Sequence, residues 1–181
     1  MAVTIAYSVA RQLVDDAARQ APAEACGLLA GTNNHIAAAH PLRNIAAAPE
    51  TQFRADPEEQ LQALKAIDAA GRNWLGVYHS HPTSAPIPSP QDIDQCADGG
   101  LLQLIVSLEG AQPELKLWRV DQASVAPVDL VYDTVHDHDS QRRFTKSQQA
   151  AVIAVGIAAV LIMLLVSLSL LPPAPEILPS P

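Results

Sequence analysis

A run of 22 residues, from Ala150 to Leu171, contains no charged side chain. As a helix it would be about 33 Å long, enough to cross a hydrocarbon core of about 30 Å. A helix buried in a protein core is the alternative interpretation. The run therefore predicts one transmembrane helix at 150–171 and leaves the residues before it to form any folded domain.

The basic residues around this run predict its orientation. Every Lys and Arg precedes it, with Arg142, Arg143 and Lys146 just outside, whereas residues 172–181 contain one acid and no base. Under the positive-inside rule this places the N-terminal part in the cytoplasm. The first residues lack the basic and long apolar stretches of a secretory signal. We expect a single-pass membrane protein with its N-terminal domain in the cytoplasm.

Composition limits the partners of that domain. The chain has 181 residues, enough for one ordinary domain and an appendage, and 11 Lys and Arg against 19 acids. Because a phosphate backbone is bound through clustered basic residues, nucleic acid is not an expected partner. Cys26 and Cys96 lie far apart without metal-type spacing, and we expect both to be buried thiols.

Strand and helix signals alternate irregularly along residues 1–132. A hairpin is expected between Ala25 and His40, with its turn at 32–34. The best-marked helix has Asp56 as N-cap, Leu61, Leu64 and Ile67 facing inward, and a stop at Gly71. The other predicted elements are a strand over 3–7, a helix capped by Ser8 with Val9, Leu13, Val14 and Ala17 on one face, a strand over 74–81, a short helix over 93–98, and strands over 101–108, 114–120 and 124–132.

This order predicts an α/β domain with a mixed central β-sheet flanked by helices. We expect the domain at 1–132, a polar juxtamembrane linker at 133–149, the transmembrane helix at 150–171 and a short Pro-rich tail at 172–181. The linker contains a second H-x-H pair, His136 and His138, which nothing scaffolds and which we interpret as a solvated cluster of acids and histidines, with weak metal binding as the alternative.

The end of the predicted strand at 74–81 carries two histidines one residue apart. On an extended chain His79 and His81 point to the same side. A catalytic zinc usually takes three protein ligands and keeps a fourth position for water, and Asp92 in the following helix is the natural third ligand. The alternatives are ordinary ones, because Ser89 and Asp92 also match a helix cap and H-x-H is often a pair of satisfied polar side chains.

The stretch resembles the motif of the JAMM (MPN-plus) metalloprotease family: H-x-H-P, six residues, S, two residues, D. His79, His81, Pro82, Ser89 and Asp92 match it without a gap.

An upstream glutamate of the family is matched by Glu24 in PAEACGLLAG. The resemblance implies a JAMM/cytidine-deaminase-like fold in which His79, His81 and Asp92 bind Zn²⁺. It also implies that Glu24 acts as general base and that Ser89 donates to the oxyanion. The chemistry is intelligible in itself, since bound zinc can lower the pKa of water to about 7.

The resemblance also implies a substrate class. Similar short bacterial proteins cleave after the C-terminal Gly-Gly of ubiquitin-like or sulfur-carrier proteins, so we expect a membrane-anchored zinc peptidase or isopeptidase. A non-catalytic, membrane-tethered scaffold of the same family is the alternative, and retention of all five site residues argues against it. A DNA-repair-associated branch fits less well because no basic face is present. A Cys-His enzyme using Cys26 lacks an orienting third group.

Overall fold

The computed structural model describes residues 2–94, 101–120, 124–133 and 163. The chain divides into two units, residues 1–137 and 138–181. In the second unit only Met163 is described, and its side chain is exposed. The predicted transmembrane helix at 150–171, apart from Met163, and His136 and His138 lie outside the described residues. Within the described ranges, no helix has the length and apolar character needed to span a membrane.

The first unit contains eight strands and three helices among its described residues. In chain order they are β1 Val3–Ala6, α1 Tyr7–Gln20, β2 Cys26–Thr32, β3 His35–Leu42, α2 Pro57–Ala69, β4 Asn73–His81, α3 Pro90–Asp94, β5 Leu102–Ser107, β6 Glu114–Val120, β7 Val125–Val128 and β8 Leu130–Asp133. The strands form one sheet in the order β7-β6-β5-β4-β2-β3-β1-β8. The pairs β1–β3, β1–β8 and β4–β5 are parallel and the others antiparallel. The predicted α/β domain with a mixed sheet is therefore confirmed.

The two long helices pack on opposite faces of this sheet. Val9 and Leu13 of α1 share a buried cluster with Leu29 of β2. Ile67 of α2 shares a second cluster with Leu28. Because successive strand residues point to opposite faces, the neighbours Leu28 and Leu29 divide β2 between the two clusters. The sheet thus lies between α1 and α2, as flanking helices require.

The last predicted strand, over 124–132, is two strands. β7 pairs with β6 and β8 pairs with β1, so these two segments form opposite edges of the sheet, although Asp129 alone separates them. The Asp129 carbonyl accepts a hydrogen bond from Val3 N at 2.9 Å. Since one residue spans at most about 3.6 Å, the sheet must curl until its two edges meet near Asp129. The prediction of one strand was wrong because the chain changes partner without a turn.

The first helix begins one residue earlier than its predicted cap. The N-cap position is Ala6, with extended backbone and no side-chain cap, and Tyr7 is already helical. Ser8 therefore lies in the first turn, and its prediction as the cap was wrong because β1 runs directly into α1. The predicted inward face is confirmed for Val9, Leu13 and Ala17, which are buried.

The second helix has the predicted ends. Asp56 accepts hydrogen bonds from the backbone N–H groups of residues 58 and 59, and Gly71 beyond the last turn has φ of 64°. Leu61, however, is 53% exposed, whereas Ala63 and Ile67 are buried. At about 100° per residue, Leu61 lies about 120° around the helix from Ile67, and Ala63 only about 40°. The inward prediction for Leu61 was wrong for this reason.

The predicted hairpin is confirmed. β2 and β3 pair antiparallel along their length, and Asn33 in the connecting turn has φ of 53°. This left-handed conformation is one that Asn tolerates better than most residues. The hairpin places β2 beside β4, the strand that ends in the two histidines.

Candidate active site

The two histidines lie at the end of a central strand. β4 pairs with β2 on one side and β5 on the other, and His79 and His81 are 0% and 6% exposed. Their side chains point to the same side of the strand, as predicted, and their Nε2 atoms are 3.1 Å apart. A buried strand with partners on both sides fixes both imidazoles with little freedom.

The third residue comes from the short helix α3. Asp92 accepts a hydrogen bond at Oδ2 from Ser89 N at 2.7 Å, while Asp92 N donates to Ser89 Oγ at 3.2 Å. The same Oδ2 lies 3.5 Å from His79 Nε2 and 3.6 Å from His81 Nε2. The helix cap and the site are therefore one arrangement, and the cap directs the carboxylate toward the imidazoles.

The proline-rich loop between β4 and α3 is held at three carbonyl groups. His81 Nδ1 bonds the Ala85 carbonyl at 2.7 Å, Ser107 Oγ donates to Ser84 O at 2.7 Å, and Trp118 Nε1 donates to Pro86 O at 2.8 Å. Sequence reasoning missed these contacts, because a backbone carbonyl carries no residue-type signal.

The two imidazoles differ in the contacts of their Nδ1 atoms, which lie on the side of each ring away from the ligand triangle. Because a carbonyl only accepts, the bond to Ala85 makes Nδ1 of His81 the donor, so Nε2 carries the lone pair whenever this imidazole is neutral. His79 packs face to face against Phe53, with ring centroids 4.5 Å apart and an interplanar angle of 16°. Its Nδ1 atom is buried, and among the described residues no hydrogen-bond partner meets it. Phe53 is a further site residue that the sequence did not indicate.

The spacing of the three ligand atoms fits zinc. A tetrahedral ion with bonds of about 2.0–2.1 Å holds its ligand atoms about 3.3–3.4 Å apart. The triangle of His79 Nε2, His81 Nε2 and Asp92 Oδ2 has sides of 3.1, 3.5 and 3.6 Å. These three residues form the group of potential metal ligands found among the described residues. Two imidazoles and a carboxylate, with a fourth position left for water, are also a donor set typical of catalytic zinc.

The electrostatics of the group suit a cation. Burial opposes ionisation of Asp92, but its close contacts with both imidazoles outweigh burial and hold the pKa of Asp92 well below the ordinary value. Burial lowers the pKa of His79, so that its neutral form is favoured. For His81 burial acts in the same direction, but the close Asp92 carboxylate and the hydrogen bond to the Ala85 carbonyl raise its pKa. Zinc binding would therefore displace any proton on His81, because a metal needs the neutral imidazole.

Glu24 lies opposite the second histidine. Cys26 is the register partner of His79, and Ser80 N donates to Ala25 O at 2.9 Å, so extending the same register sets Glu24 across from His81. Glu24 is 6% exposed, and its Oε2 is buried without a hydrogen-bond partner in the described part of the chain. Burial raises the pKa of Glu24 to about 7. A buried, unpaired carboxyl of this pKa beside three ligands is a suitable general base.

Cys26 cannot serve as a nucleophile in this state. It is 1% exposed, its Sγ contacts the Leu42 carbonyl at 3.6 Å, and burial raises its pKa to about 12. The thiolate is therefore strongly disfavoured at neutral pH. The prediction of a buried thiol is confirmed for Cys26, and Cys96 lies outside the described residues.

A cavity of about 310 Å³ adjoins Asp92. Apolar and polar residues line it, and they come from β2, β4, α3, the chain before and within α2, and β5 with the residue before it. They are Cys26, Gly27, Leu28, Phe53, Arg54, Ala55, Gln60, Trp74, Val77, Asp92, Leu101, Leu102 and Gln103. Of the three potential ligands, Asp92 lines this cavity, which can hold part of a substrate.

Comparison with known proteins agrees with this geometry. Over 98 residues the chain is 44% identical to the desampylase of Haloferax volcanii, covering 53% of this chain and 70% of that protein. Over 77 residues it is 43% identical to a probable TtuB-protein conjugate cleaving protease of Thermus thermophilus, covering 42% of this chain and 51% of the relative. The solution structure of a protein from Desulfitobacterium hafniense matches with a TM-score of 0.68 and 30% identity, over 75% of this chain and 97% of the other.

The family model described as prokaryotic homologs of the JAB domain matches residues 7–121. This range contains Glu24 and the group of His79, His81 and Asp92. The predicted metallopeptidase class and zinc cofactor are confirmed, whereas the role of each single residue stays a prediction. The chain therefore belongs to the family of prokaryotic homologues of the JAB domain.

Proposed function

We propose that this chain is a zinc peptidase or isopeptidase that cleaves after the C-terminal Gly-Gly of a ubiquitin-like or sulfur-carrier protein. The observation that carries the proposal is the triangle of His79, His81 and Asp92 beside the buried carboxyl of Glu24, whose Oε2 has no hydrogen-bond partner among the described residues. A ligand group that fits zinc and a buried base next to it are the parts that metal-assisted amide hydrolysis needs.

The substrate class is supported by the relatives and by the character of the tail. One relative is named a desampylase and another a probable protease that cleaves TtuB-protein conjugates. The match to the second spans about half of that relative's length. A Gly-Gly tail allows close backbone approach to a buried site, since glycine has no side chain to exclude.

Glu24 would move the proton in this reaction. Zinc held by His79, His81 and Asp92 would supply Lewis acidity and a water of lowered pKa. A carboxylate oxygen of Glu24 then accepts a proton from the attacking water and later passes it to the leaving amine. Because Oε2 of Glu24 has no partner among the described residues, no existing hydrogen bond has to break first.

Ser89 and the buried imidazoles would complete the site. The hydroxyl oxygen of Ser89 accepts from Asp92 N, which leaves its own O–H free to donate to the oxyanion that develops on the scissile carbonyl. His79 and His81 are almost inaccessible to bulk solvent, so both imidazoles lie in surroundings of low polarity, where electrostatic interactions are strong. The bond between His81 and Ala85 holds that imidazole in one tautomer through the reaction.

Substitution of the base tests the function. We expect Glu24→Gln to lower kcat on a Gly-Gly isopeptide-linked substrate by about 10²- to 10⁴-fold, because proton transfer is lost while the ligands remain. Bound zinc should stay near one ion per chain, measured by atomic emission. Glu109→Gln, at an exposed acid outside the site, is the matched control and should cleave as the wild type does. Wild-type activity in Glu24→Gln, or a wild-type chain without zinc, would refute the mechanism.

We further propose that residues 150–171 anchor the protein in a membrane with the catalytic domain in the cytoplasm. The support is the uncharged run itself and the bases Arg142, Arg143 and Lys146 before it. Deleting 150–171 should release the protein from the membrane fraction without loss of zinc. A reporter fused to the C-terminus should be found outside the cytoplasm, and cytoplasmic activity of that reporter would contradict the orientation.

A further inference from the structure

The side chain of Asn44, two residues after β3, makes four hydrogen bonds. Nδ2 donates to Glu24 O at 3.0 Å and to Gln52 O at 2.9 Å. Oδ1 accepts from Ala46 N at 2.9 Å and from Arg54 N at 3.0 Å. An Asn amide has two donors and two acceptor lone pairs, so its full capacity is used, and only one orientation of the amide satisfies all four partners.

These bonds close residues 45–55 into a loop, called here the 45–55 loop. Ile45 N donates to Arg54 O at 2.8 Å, and Asn44 and Ala55 form an isolated antiparallel bridge. The side-chain amide of Asn44 lies where the two ends of the loop meet, and its oxygen accepts hydrogen bonds from both ends, at Ala46 N and Arg54 N. The loop is therefore closed at its base by backbone and side chain together.

The 45–55 loop contacts the site at two points. From its middle, Pro49 O accepts from Glu24 N at 2.6 Å, so that both backbone polar groups of Glu24 bond to the loop or to Asn44. Phe53, near its end, stacks on the ring of His79. The side-chain amide of Asn44 thus links the backbone of Glu24 to the 45–55 loop, whose Phe53 packs against His79.

The free carboxyl makes this connection important for Glu24. Oε2 of Glu24 is buried and has no partner in the described part of the chain, so no contact of that oxygen holds the side chain in place. Its position depends on the backbone that carries it and on the packing around the side chain, and a displacement of about 1 Å can cost a reaction about 10²-fold in rate. Whatever fixes the Glu24 peptide therefore contributes to the distance over which the proton moves.

We propose that Asn44 is a positioning residue for the reaction: through its side-chain amide it fixes the Glu24 peptide and the 45–55 loop, and with them the base and the ring that packs on His79. The proposal rests on the proposed function for its kinetic consequence. Asn44 does not touch the ligand atoms and acts through Glu24 and Phe53.

The two halves of the amide can be separated by substitution. Asn44→Asp keeps the oxygen that accepts from Ala46 N and Arg54 N but lacks the N–H groups that bond Glu24 O and Gln52 O. Asn44→Ala removes all four bonds. Asn73→Asp, the same chemical change at an exposed side chain at the start of β4, is the matched control.

The experiment measures kcat and KM on a Gly-Gly isopeptide-linked substrate, zinc affinity by chelator competition, and amide hydrogen exchange in the metal-free full chain. For Asn44→Asp we expect kcat to fall about 10- to 100-fold, with KM and zinc affinity within about threefold of wild type. The amides of Ala46 and Arg54 should stay protected, whereas the amide of Glu24 should exchange at least tenfold faster. Asn73→Asp should match the wild type in every measurement.

Two outcomes would overturn the proposal: kcat of Asn44→Asp within twofold of wild type, or a fall in kcat that follows the loss of bound zinc. If the wild type cleaves no Gly-Gly-linked substrate, the proposed function fails by itself. Positioning is then judged by the amide of Glu24, whose faster exchange in Asn44→Asp supports the proposal and whose unchanged exchange refutes it. The Asp variant also keeps the test valid if Asn44→Ala does not fold.

Discussion

The protonation of Glu24 depends on three influences, two that raise its pKa and one that lowers it. Burial raises its pKa to about 7, the positive charge on His81 acts in the lowering direction, and the Asp92 carboxylate raises it again. In the metal-free chain Glu24 is therefore largely protonated below neutral pH. A zinc ion in the ligand group would add two positive charges nearby and favour the carboxylate, which is the form a base needs.

This raised pKa predicts a pH dependence of stability. Between its ordinary pKa of 4.5 and about 7, the folded chain holds a proton on Glu24 that the unfolded chain releases. The stabilisation from this group is therefore complete below about pH 4.5 and is lost as the pH rises through about 7. We expect the free energy of unfolding of the metal-free wild type, minus that of Glu24→Gln, to fall across this window in urea titrations. A difference that stays constant from pH 4.5 to 8 would show that the pKa of Glu24 is not raised.

Sequence reasoning found the site residues that have a type-specific signal and missed the others. Residue type and spacing make His79, His81 and Asp92 potential ligands, with ordinary alternatives left open, and resemblance to the JAMM family favours the ligand interpretation and adds Glu24. Neither indicates Asn44, Phe53 or Ala85, because the Asn44 amide bonds backbone groups, Ala85 contributes its carbonyl and Phe53 a ring contact, and no spacing pattern marks these contacts. Such contacts depend on where the loops lie, which local pattern does not determine.

At the scale of elements, the position of β4 in the sheet matters most, because this strand carries His79 and His81. Gly76 in this strand lies against β5, and a Cβ there would come 2.0 Å from Leu102 O, a backbone atom that cannot move aside alone. We expect Gly76→Ala to lower the free energy of unfolding by about 1–3 kcal/mol or more and to weaken zinc binding, because β4 carries His79 and His81. Gly110→Ala is the control, since the nearest atom to its Cβ would be 3.4 Å away. Denaturant unfolding and chelator competition measure both effects, and equal stability of the two variants would contradict the close approach.

The start of α2 allows a second test at this scale. Asp56 caps the helix through Glu58 N and Glu59 N and pairs with the guanidinium of Arg43. We expect Asp56→Ala to cost about 0.5–2 kcal/mol in the free energy of unfolding, and Asp56→Asn to cost less because Asn caps as well as Asp. Thermal unfolding of both variants compares the cap with the ion pair. If Asn proves as damaging as Ala, the ion pair with Arg43 rather than the cap stabilises this end.

The elements that sequence patterns identified were those with strong local signals. The hairpin of β2 and β3 and the helix from Asp56 follow from turn and capping residues. The division of residues 124–132 into β7 and β8 does not, because both halves are extended and differ only in their partners. Strand pairing across the sheet is a long-range property that alternation of residues does not encode.

At the scale of the whole described domain, zinc would connect parts that are otherwise joined by a loop. His79 and His81 lie on the central strand, whereas Asp92 lies on α3, beyond the proline-rich loop. Metal bound by all three would fix α3 to the sheet. Since an unfolded chain does not present these three residues together, the binding free energy adds to folding stability.

Because zinc binding adds to folding stability, the gain in stability with zinc should distinguish a variant that loses a ligand from one that loses the base. With free zinc at 100 times its dissociation constant, the wild type should gain about 2.7 kcal/mol in free energy of unfolding over the metal-free form. Glu24→Gln should gain as much, because Glu24 is placed beside the ligands rather than among them. Asp92→Asn keeps an oxygen that can accept from Ser89 N but removes the negative charge, so its gain should be much smaller. Chemical unfolding with and without zinc measures all three, and loss of the gain in Glu24→Gln would make that residue a ligand and leave the reaction without its base.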